Sequence, residues 1–314
     1  MSIEMPLESA SLAQLQQTPI ENVINIIDEG LVHLPSYREL YYRWERQQWR
    51  AQEIDFTPDR LQWEKMSEEE HQDRINGLSA FFKGEACVTD TLAPYVTAMP
   101  DEEMRIFVTT QLVDEARHTV FFARFFKEVI GIDKGLLEHT LDEVQQYMNA
   151  DLKYILIDSL TEVAERIRQE PQNIAHLVEG ITLYHVVVEG TLALAGQRSI
   201  LDFYRQNNLF PAFRGGFTAV ARDESRHVVF GVKFLRDMIQ HNPQNARIVQ
   251  AAIDKYAPIA LKSLTPADEF IPHMLSMQLD PWVTPRYAQD SLRKKIKVIG
   301  LSMELPAVPP PPVF

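Results

Sequence analysis

A chain of 314 residues, 45% hydrophobic and 24% charged, has ample material for a globular core. Its formal net charge of −13 argues against a nucleic-acid partner, which would draw on clustered Lys and Arg. The single cysteine, Cys87, excludes an intrachain disulfide framework and fits a reducing compartment. The opening stretch MSIEMPLESASLAQL lacks a basic run followed by an apolar one, so no signal peptide is expected. No uninterrupted apolar run reaches the ~18 residues of a spanning helix, so the expected setting is cytoplasmic without a transmembrane segment.

In chain order, residues 1–65 read as an arm with short helices, ending in the turn-like IDFTPDR. Ser67, followed by three glutamates, predicts a helix N-terminus, and the helical pattern runs to about 99. Pro100 and Asp101 break it, and a second helix follows until GID at 131–133. A third long helix is expected over 135–169. A fourth follows Pro171, and a fifth carries FTAVARDESRHVVFGVKFLRDMI. Beyond about 262 the pattern is less regular, and the closing PAVPPPPVF cannot be helical. Strand signals are nearly absent, so the fold class is all-α, an elongated helix bundle. The expected organisation is an arm (1–65), a bundle (66–265) and a C-terminal extension (266–314).

One pentad occurs twice, as DEARH at 114–118 and DESRH at 223–227. Residues three apart share a helix face, so Glu115 and His118 project together, as do Glu224 and His227. Such pairs are common on solvated faces, but these sit beside the apolar runs TVFF and VVFGV. A dimetal carboxylate site needs two such pairs and one further Glu from each of two other helices. Glu85 in FFKGEACV and Glu189 in HVVVEGTL stand where those two are needed, in stretches where an unpaired charge would be costly. Four carboxylates balance two divalent cations. Oxygen ligands with one imidazole per ion suit iron or manganese. The competing reading is a buried hydrogen-bond network without metal.

Asp114 and Asp223 are read as orienting the opposite histidines, Asp114 for His227 and Asp223 for His118; otherwise they are exposed helix residues. Arg117 and Arg226 point elsewhere on their helices than the ligand glutamates. On a straight helix His185 lies one turn from Glu189, whereas Tyr184 lies on a different face. Tyr184 reaches the site only if the helix is locally unwound, as by a bulge. Both could equally be core residues. Cys87 reads as a small core residue, thiolates being poor partners for hard ions. The apolar LSAFF and TVFFARFF either line a pocket or pack as core.

These motifs, an apolar Glu, DEARH, a second apolar Glu and DESRH, resemble the ferritin-like superfamily over about 65–240. Within it they are similar to the ribonucleotide reductase small subunit and its relatives. Radical-generating subunits typically start the ligand set with Asp and carry a tyrosine one turn after the first histidine. Here those positions hold Glu85 and Phe122. Val88, three after Glu85, and Tyr184, five before Glu189, resemble instead the reductase-like ligand-binding oxidases.

That resemblance implies manganese on Glu85, Glu115 and His118, and iron on Glu189, Glu224 and His227, with di-iron as the alternative. It also implies a long-chain fatty acid at the metals, an ether cross-link between Tyr184 and Val88, and two-electron C–H oxidation with O2. A homodimer is expected on the same ground. The alternatives are a metal-radical reductase small subunit, a dimetal N-oxygenase with His185 as an additional histidine, and a ferritin-like metal store.

Overall fold

The structure, a computed structural model, describes residues 7–313, and among these no strand occurs. Four short helices come first: α1 (Leu12–Leu15), α2 (Ile20–Val32), α3 (Tyr37–Arg46) and α4 (Thr57–Trp63). The long helices α5 (Glu68–Ala98) and α6 (Glu102–Phe125) then pair side by side. Ser67 caps α5 through a capping box with Glu70, and Asp101 caps α6 through the Glu103 and Met104 amides. These are the residues that the sequence marks as helix starts.

The stretch expected as one helix over 135–169 divides into α7 (Leu137–Gln145), α8 (Ala150–Lys153), a π-helical segment Tyr154–Ser159, and α9 (Leu160–Gln169). The break falls where the Asn149 side chain accepts from the Leu152 amide and starts a new helix. Next, α10 (Ile174–Ile181) runs through a π-helix, Thr182–Ala193, into α11 (Leu194–Gln206). This continuous Ile174–Gln206 helix is apolar and long enough to cross a membrane, but its most apolar window is 89% buried inside the protein. It is therefore a core helix. The long α12 (Pro211–His241) and α13 (Asn245–Ser263) follow. The buried Asp59 of α4 accepts from the Ala212 and Phe213 amides at 2.9 and 2.7 Å, capping α12 from a distance.

Beyond 263 the chain is more regular than the sequence suggests. After α14 (Ile271–Ser276), a 17-residue helix, α15 (Val283–Ile299), packs against the π-helix. Its apolar stripe of Ala288, Leu292, Ile296 and Ile299 is interrupted by Lys295, which obscures the pattern. The proline-rich segment is non-helical and lies along α15, where Arg286 donates to the Pro309 carbonyl at 2.8 Å.

Lys295 is 1% exposed, and burial pulls its ammonium down to about 7. Among the described residues its amine donates to Ser291, at 2.6 Å to Oγ, and its stem lies against Gly190, where a Cβ would come within 2.5 Å of Lys295 Cε. The folded pKa is depressed, so the unfolded chain binds the extra proton between about pH 7 and 10.5 and stability rises with pH across that window. Lys295→Met is expected to stabilise the fold by roughly 2 kcal/mol near neutral pH. Thermal unfolding from neutral to alkaline pH checks this: the advantage should shrink as pH rises, and a constant gap would refute it.

Two apolar clusters fill the bundle, one rich in aliphatic residues and one in phenylalanine. Helices α5, α6 and α12 are among those that cross from one to the other. In α5, Phe82 belongs to the aromatic cluster and Val88 to the aliphatic one. In α6 the change falls between Val108 and Phe121, and in α12 between Ala221 and Val228. Glu85, Glu115, His118, Glu224 and His227 all sit at these crossings, so the polar residues gather at the waist between two dry cores.

Candidate metal centre

Four elements supply this waist. Glu85 comes from α5, Glu115 and His118 from α6, Glu189 from the π-helix, and Glu224 and His227 from α12. All six are buried. His118 Nδ1 lies 3.2 Å from Glu85, 3.5 Å from Glu115 and 3.7 Å from Glu224. His227 Nδ1 lies 3.1 Å from Glu189, 3.2 Å from Glu115 and 3.8 Å from Glu224.

The donor atoms form two groups, each able to hold an ion. One is Glu85, Glu115, His118 and Glu224; the other is Glu115, Glu189, Glu224 and His227. Glu115 and Glu224 belong to both. The buried Oε2 atoms of Glu189 and Glu224 have no hydrogen-bond partner among the described residues. Orphaned carboxylate oxygens inside a protein are costly unless a cation takes them up. The residues fit a pair of metal ions.

Without cations, the cluster holds protons instead. Burial drives Glu85 and Glu189 well above the usual carboxylate range. Burial pulls His118 and His227 down, but the facing carboxylates, led by Glu85 and Glu189 respectively, outweigh it and hold both well above the ordinary histidine value.

Behind the histidines lies a second layer. His118 Nε2 is 3.3 Å from Asp223, and His227 Nε2 is 3.2 Å from Asp114, so each histidine meets the aspartate of the other pentad. Both aspartates are fully buried. Arg226 spans them, donating to Asp114 at 2.7 Å and Asp223 at 2.9 Å, and it also reaches Gln47. Arg117 approaches the same aspartates at 3.2 and 3.4 Å. Both arginines do point away from the ligand glutamates, but toward this second layer rather than to solvent. Six carboxylates thus face two guanidinium groups, leaving four negative charges, the number that two divalent cations neutralise.

Two tryptophans complete this layer. Trp44 donates to Asp114 at 2.9 Å and Trp49 to Asp223 at 2.7 Å. Neither stands out in the sequence, because nothing in the spacing of the N-terminal segment ties it to α6 or α12.

The π-helix decides where Tyr184 goes. Hydrogen bonds spaced i→i+5 bring residues five apart onto one face. Tyr184 therefore shares the face of Glu189, and its hydroxyl donates to Glu115 at 2.9 Å. Burial, and then the charges of Glu115, Glu189 and Glu224, hold this phenol well above its ordinary range, so it keeps its proton. His185 turns aside: its Nε2 lies 3.0 Å from Gln111 Oε1, and it joins neither ion-holding group. Gln111 in turn donates to Glu189 at 3.2 Å. Gln111 is one turn before Glu115 on α6, a spacing that could have marked it. Gly231 permits the close packing of His185 on α12, since a Cβ there would come within 2.2 Å of His185 Cβ.

A cavity of about 500 Å3 opens from the glutamates. Val88, Tyr184 and all four glutamates line it, and it extends past Leu156, Val188, Leu192 and Ile200 toward Asp280 and Thr284. None of the described residues lining it is basic. Of the stretches LSAFF and TVFFARFF, Ala80 and Phe81 line it; Phe122 is fully buried among Phe121, Phe213 and Phe217. Cys87 is half-buried, absent from both the cavity and the ion-holding groups.

The profile of the ribonucleotide reductase small chain matches residues 32–269, most of the chain and every residue of the cluster. The chain belongs to this family. Its fold is also that of solved R2-like ligand-binding oxidases. A valine-to-isoleucine mutant of that oxidase, with an anaerobically reconstituted Mn/Fe cofactor, aligns at 23% identity and a TM-score of 0.73. A tyrosine-to-phenylalanine mutant with an aerobically reconstituted Mn/Fe cofactor aligns at 22% identity and the same TM-score. Each alignment covers 85% of this chain and 94% of the other. The ferritin-like all-α bundle expected from the sequence is the fold observed.

Proposed function

We propose that this chain is an O2-dependent dimetal oxidase, with manganese on Glu85, Glu115 and His118 and iron on Glu189, Glu224 and His227. Glu115 and Glu224, shared by both donor groups, would lie between the ions. The observation that carries the reading is that Val88 and Tyr184 open onto the same cavity as the four glutamates, with the Tyr184 hydroxyl on Glu115. The Mn/Fe cofactor of the solved oxidases and the hard oxygen donors here support the choice of ions. Such a pair, when bound, supplies the redox chemistry that lets O2 oxidise an unactivated C–H bond.

The chain's own part is placement. Asp114 and Asp223 accept from the Nε2–H groups of His227 and His118, so Nδ1 of each ring is left facing the glutamates. Tyr184 holds its phenolic proton against Glu115 until oxidation. The ether then forms between the Tyr184 oxygen and Val88 Cβ; the phenolic O–H and the Val88 Cβ–H break, and two protons and two electrons pass to O2.

The apolar cavity suits a long-chain fatty acid or a similar apolar carboxylate, and its volume is within the usual ~300–1,000 Å3 of ligand sites. With no basic side chain in its wall and Asp280 at its outer end, the carboxylate would turn inward, toward the cations. The lone thiol suits a reducing cytoplasmic setting.

Peptide mass analysis after aerobic metal loading tests the reading. A linked species containing the Val88 and Tyr184 peptides, two hydrogens lighter than their sum, is expected; Tyr184→Phe should abolish it. Unlinked peptides from protein shown to be metal-loaded and O2-exposed would overturn the cross-link.

One observation favours a second reading, a reductase small subunit. Trp49, Asp223 and His118 form a continuous hydrogen-bonded route to the cluster. Ribonucleotide reduction on adding a catalytic large subunit would establish that role.

A further inference from the structure

We infer that the cleft between α5 and α11 is the passage by which an apolar carboxylate reaches the metal centre, and that Arg74, at its outer end, is where the carboxylate first docks. This rests on the reading of the cavity as the seat of such a ligand. From Glu85 the cavity wall follows α5 back to Gly77, and from Glu189 it follows the facing helix to Ser199 and Ile200. A second hollow, of about 240 Å3, begins at those same three residues and ends at Asp73, Arg74, Phe203 and Tyr204. The two hollows are successive stretches of one cleft, joined at the residues they share.

The junction is open. Gly77 and Ser199 are both exposed, although each also lines the cavity that holds the four glutamates. A Cβ on Gly77 would meet nothing within 4 Å, so no neighbouring side chain closes the cleft there. Glycine inside a long helix is unfavourable against alanine. Neither a positive φ nor a close approach requires it at this position. A clear throat accounts for it.

Beyond the junction the cleft becomes amphipathic. Phe203 is 47% exposed, and the Arg74 guanidinium lies over its ring at 5.6 Å from the centroid. Arg74 forms no ion pair among the described residues. It donates to the Glu70 carbonyl at 3.2 Å, its buried Nε has no partner, and the Glu70 carboxylate is taken up by Ser67. Asp73 shares the rim without pairing to it. A guanidinium without a carboxylate, beside an exposed ring, suits the head and first methylenes of a fatty acid.

Three turns of α5, a rise of ~16 Å, separate Arg74 from Glu85. The other end of the cavity offers no such cation, because Asp280 there already holds Arg286. On a chain of net charge −13, one unpaired guanidinium at an entrance sets the direction from which an anion approaches.

Rapid filtration of metal-loaded protein mixed with radiolabelled dodecanoic acid under argon tests this. Gly77→Leu should slow uptake and release together by about tenfold or more, with affinity changed less than about threefold, because the throat is crossed both ways. Thr284→Leu, at the other end, should alter neither rate. Arg74→Gln should slow uptake by about tenfold and flatten its salt dependence, and Arg74→Lys should restore both. Rates unmoved by Gly77→Leu, or slowed by Thr284→Leu instead, would overturn the passage and leave the ligand reading intact. Weaker affinity in Gly77→Leu without slower release would make Gly77 part of the binding wall, and would overturn it too. Unchanged uptake in Arg74→Gln would overturn the docking site. Protein that takes up no fatty acid would overturn the reading of the cavity, and this inference with it.

Discussion

Glu115→Ala is expected to leave the chain unable to hold at least one of its two ions, weakening binding by more than about a hundredfold. Glu115 is the harshest position to lose, because it belongs to both donor groups and its two oxygens face His118 and His227 separately. The substitution also strips the Tyr184 hydroxyl of its acceptor. Glu85→Ala is the useful comparison, since Glu85 belongs to one group alone. Metal content per chain after loading and desalting checks both. Two ions retained in Glu115→Ala would refute the ligand assignment. A larger loss from Glu85→Ala than from Glu115→Ala would refute the bridging role.

What the sequence discloses follows from how local each signal is. Glu115 with His118, and Glu224 with His227, are legible because a helix converts a spacing of three into shared direction. The apolar stretches around Glu85 and Glu189 then make solvent exposure untenable. Tyr184 is different. Its placement depends on a π-helix twelve residues long, and no periodicity rule announces the change from i→i+4 to i→i+5 bonding. Read as an α-helix, the same residues bring His185 to the metal side and turn Tyr184 away; the observed winding does the reverse.

Trp44 and Trp49 are illegible for another reason. They meet Asp114 and Asp223 across wide sequence separations, and nothing in the short N-terminal helices encodes those partners. The 17 residues of α15 are hard to read as a helix because a buried lysine breaks their apolar stripe.

The second large effect is expected at Arg226. This guanidinium is 2% exposed and holds Asp114 and Asp223, both fully buried, in one clamp. Arg226→Met would leave two carboxylates in the core with much of their countercharge removed. Breaking a buried ion pair from one side typically costs ~3–5 kcal/mol, a large share of a total stability of ~5–15 kcal/mol. Arg226→Lys should fall between, since an ammonium keeps the charge but cannot reach both carboxylates with a planar fork.

Acid titration separates this account from a simple packing loss. Burial raises the Asp223 carboxyl, but Arg226 first and His118 next outweigh it and hold it well below the usual range. A depressed carboxyl contributes stability above its unfolded pKa of ~3.9 and loses it as pH falls through the folded value. Without Arg226 that contribution is diminished, so the deficit of Arg226→Met should be greatest near neutral pH. It should narrow in acid, as Asp223 of the variant takes up a proton. Denaturant unfolding of the metal-free protein, wild type against variant, reads this directly. A deficit that stays constant from neutral pH into acid would mean that Arg226 contributes by filling space, and that the two aspartates orient their histidines without its help.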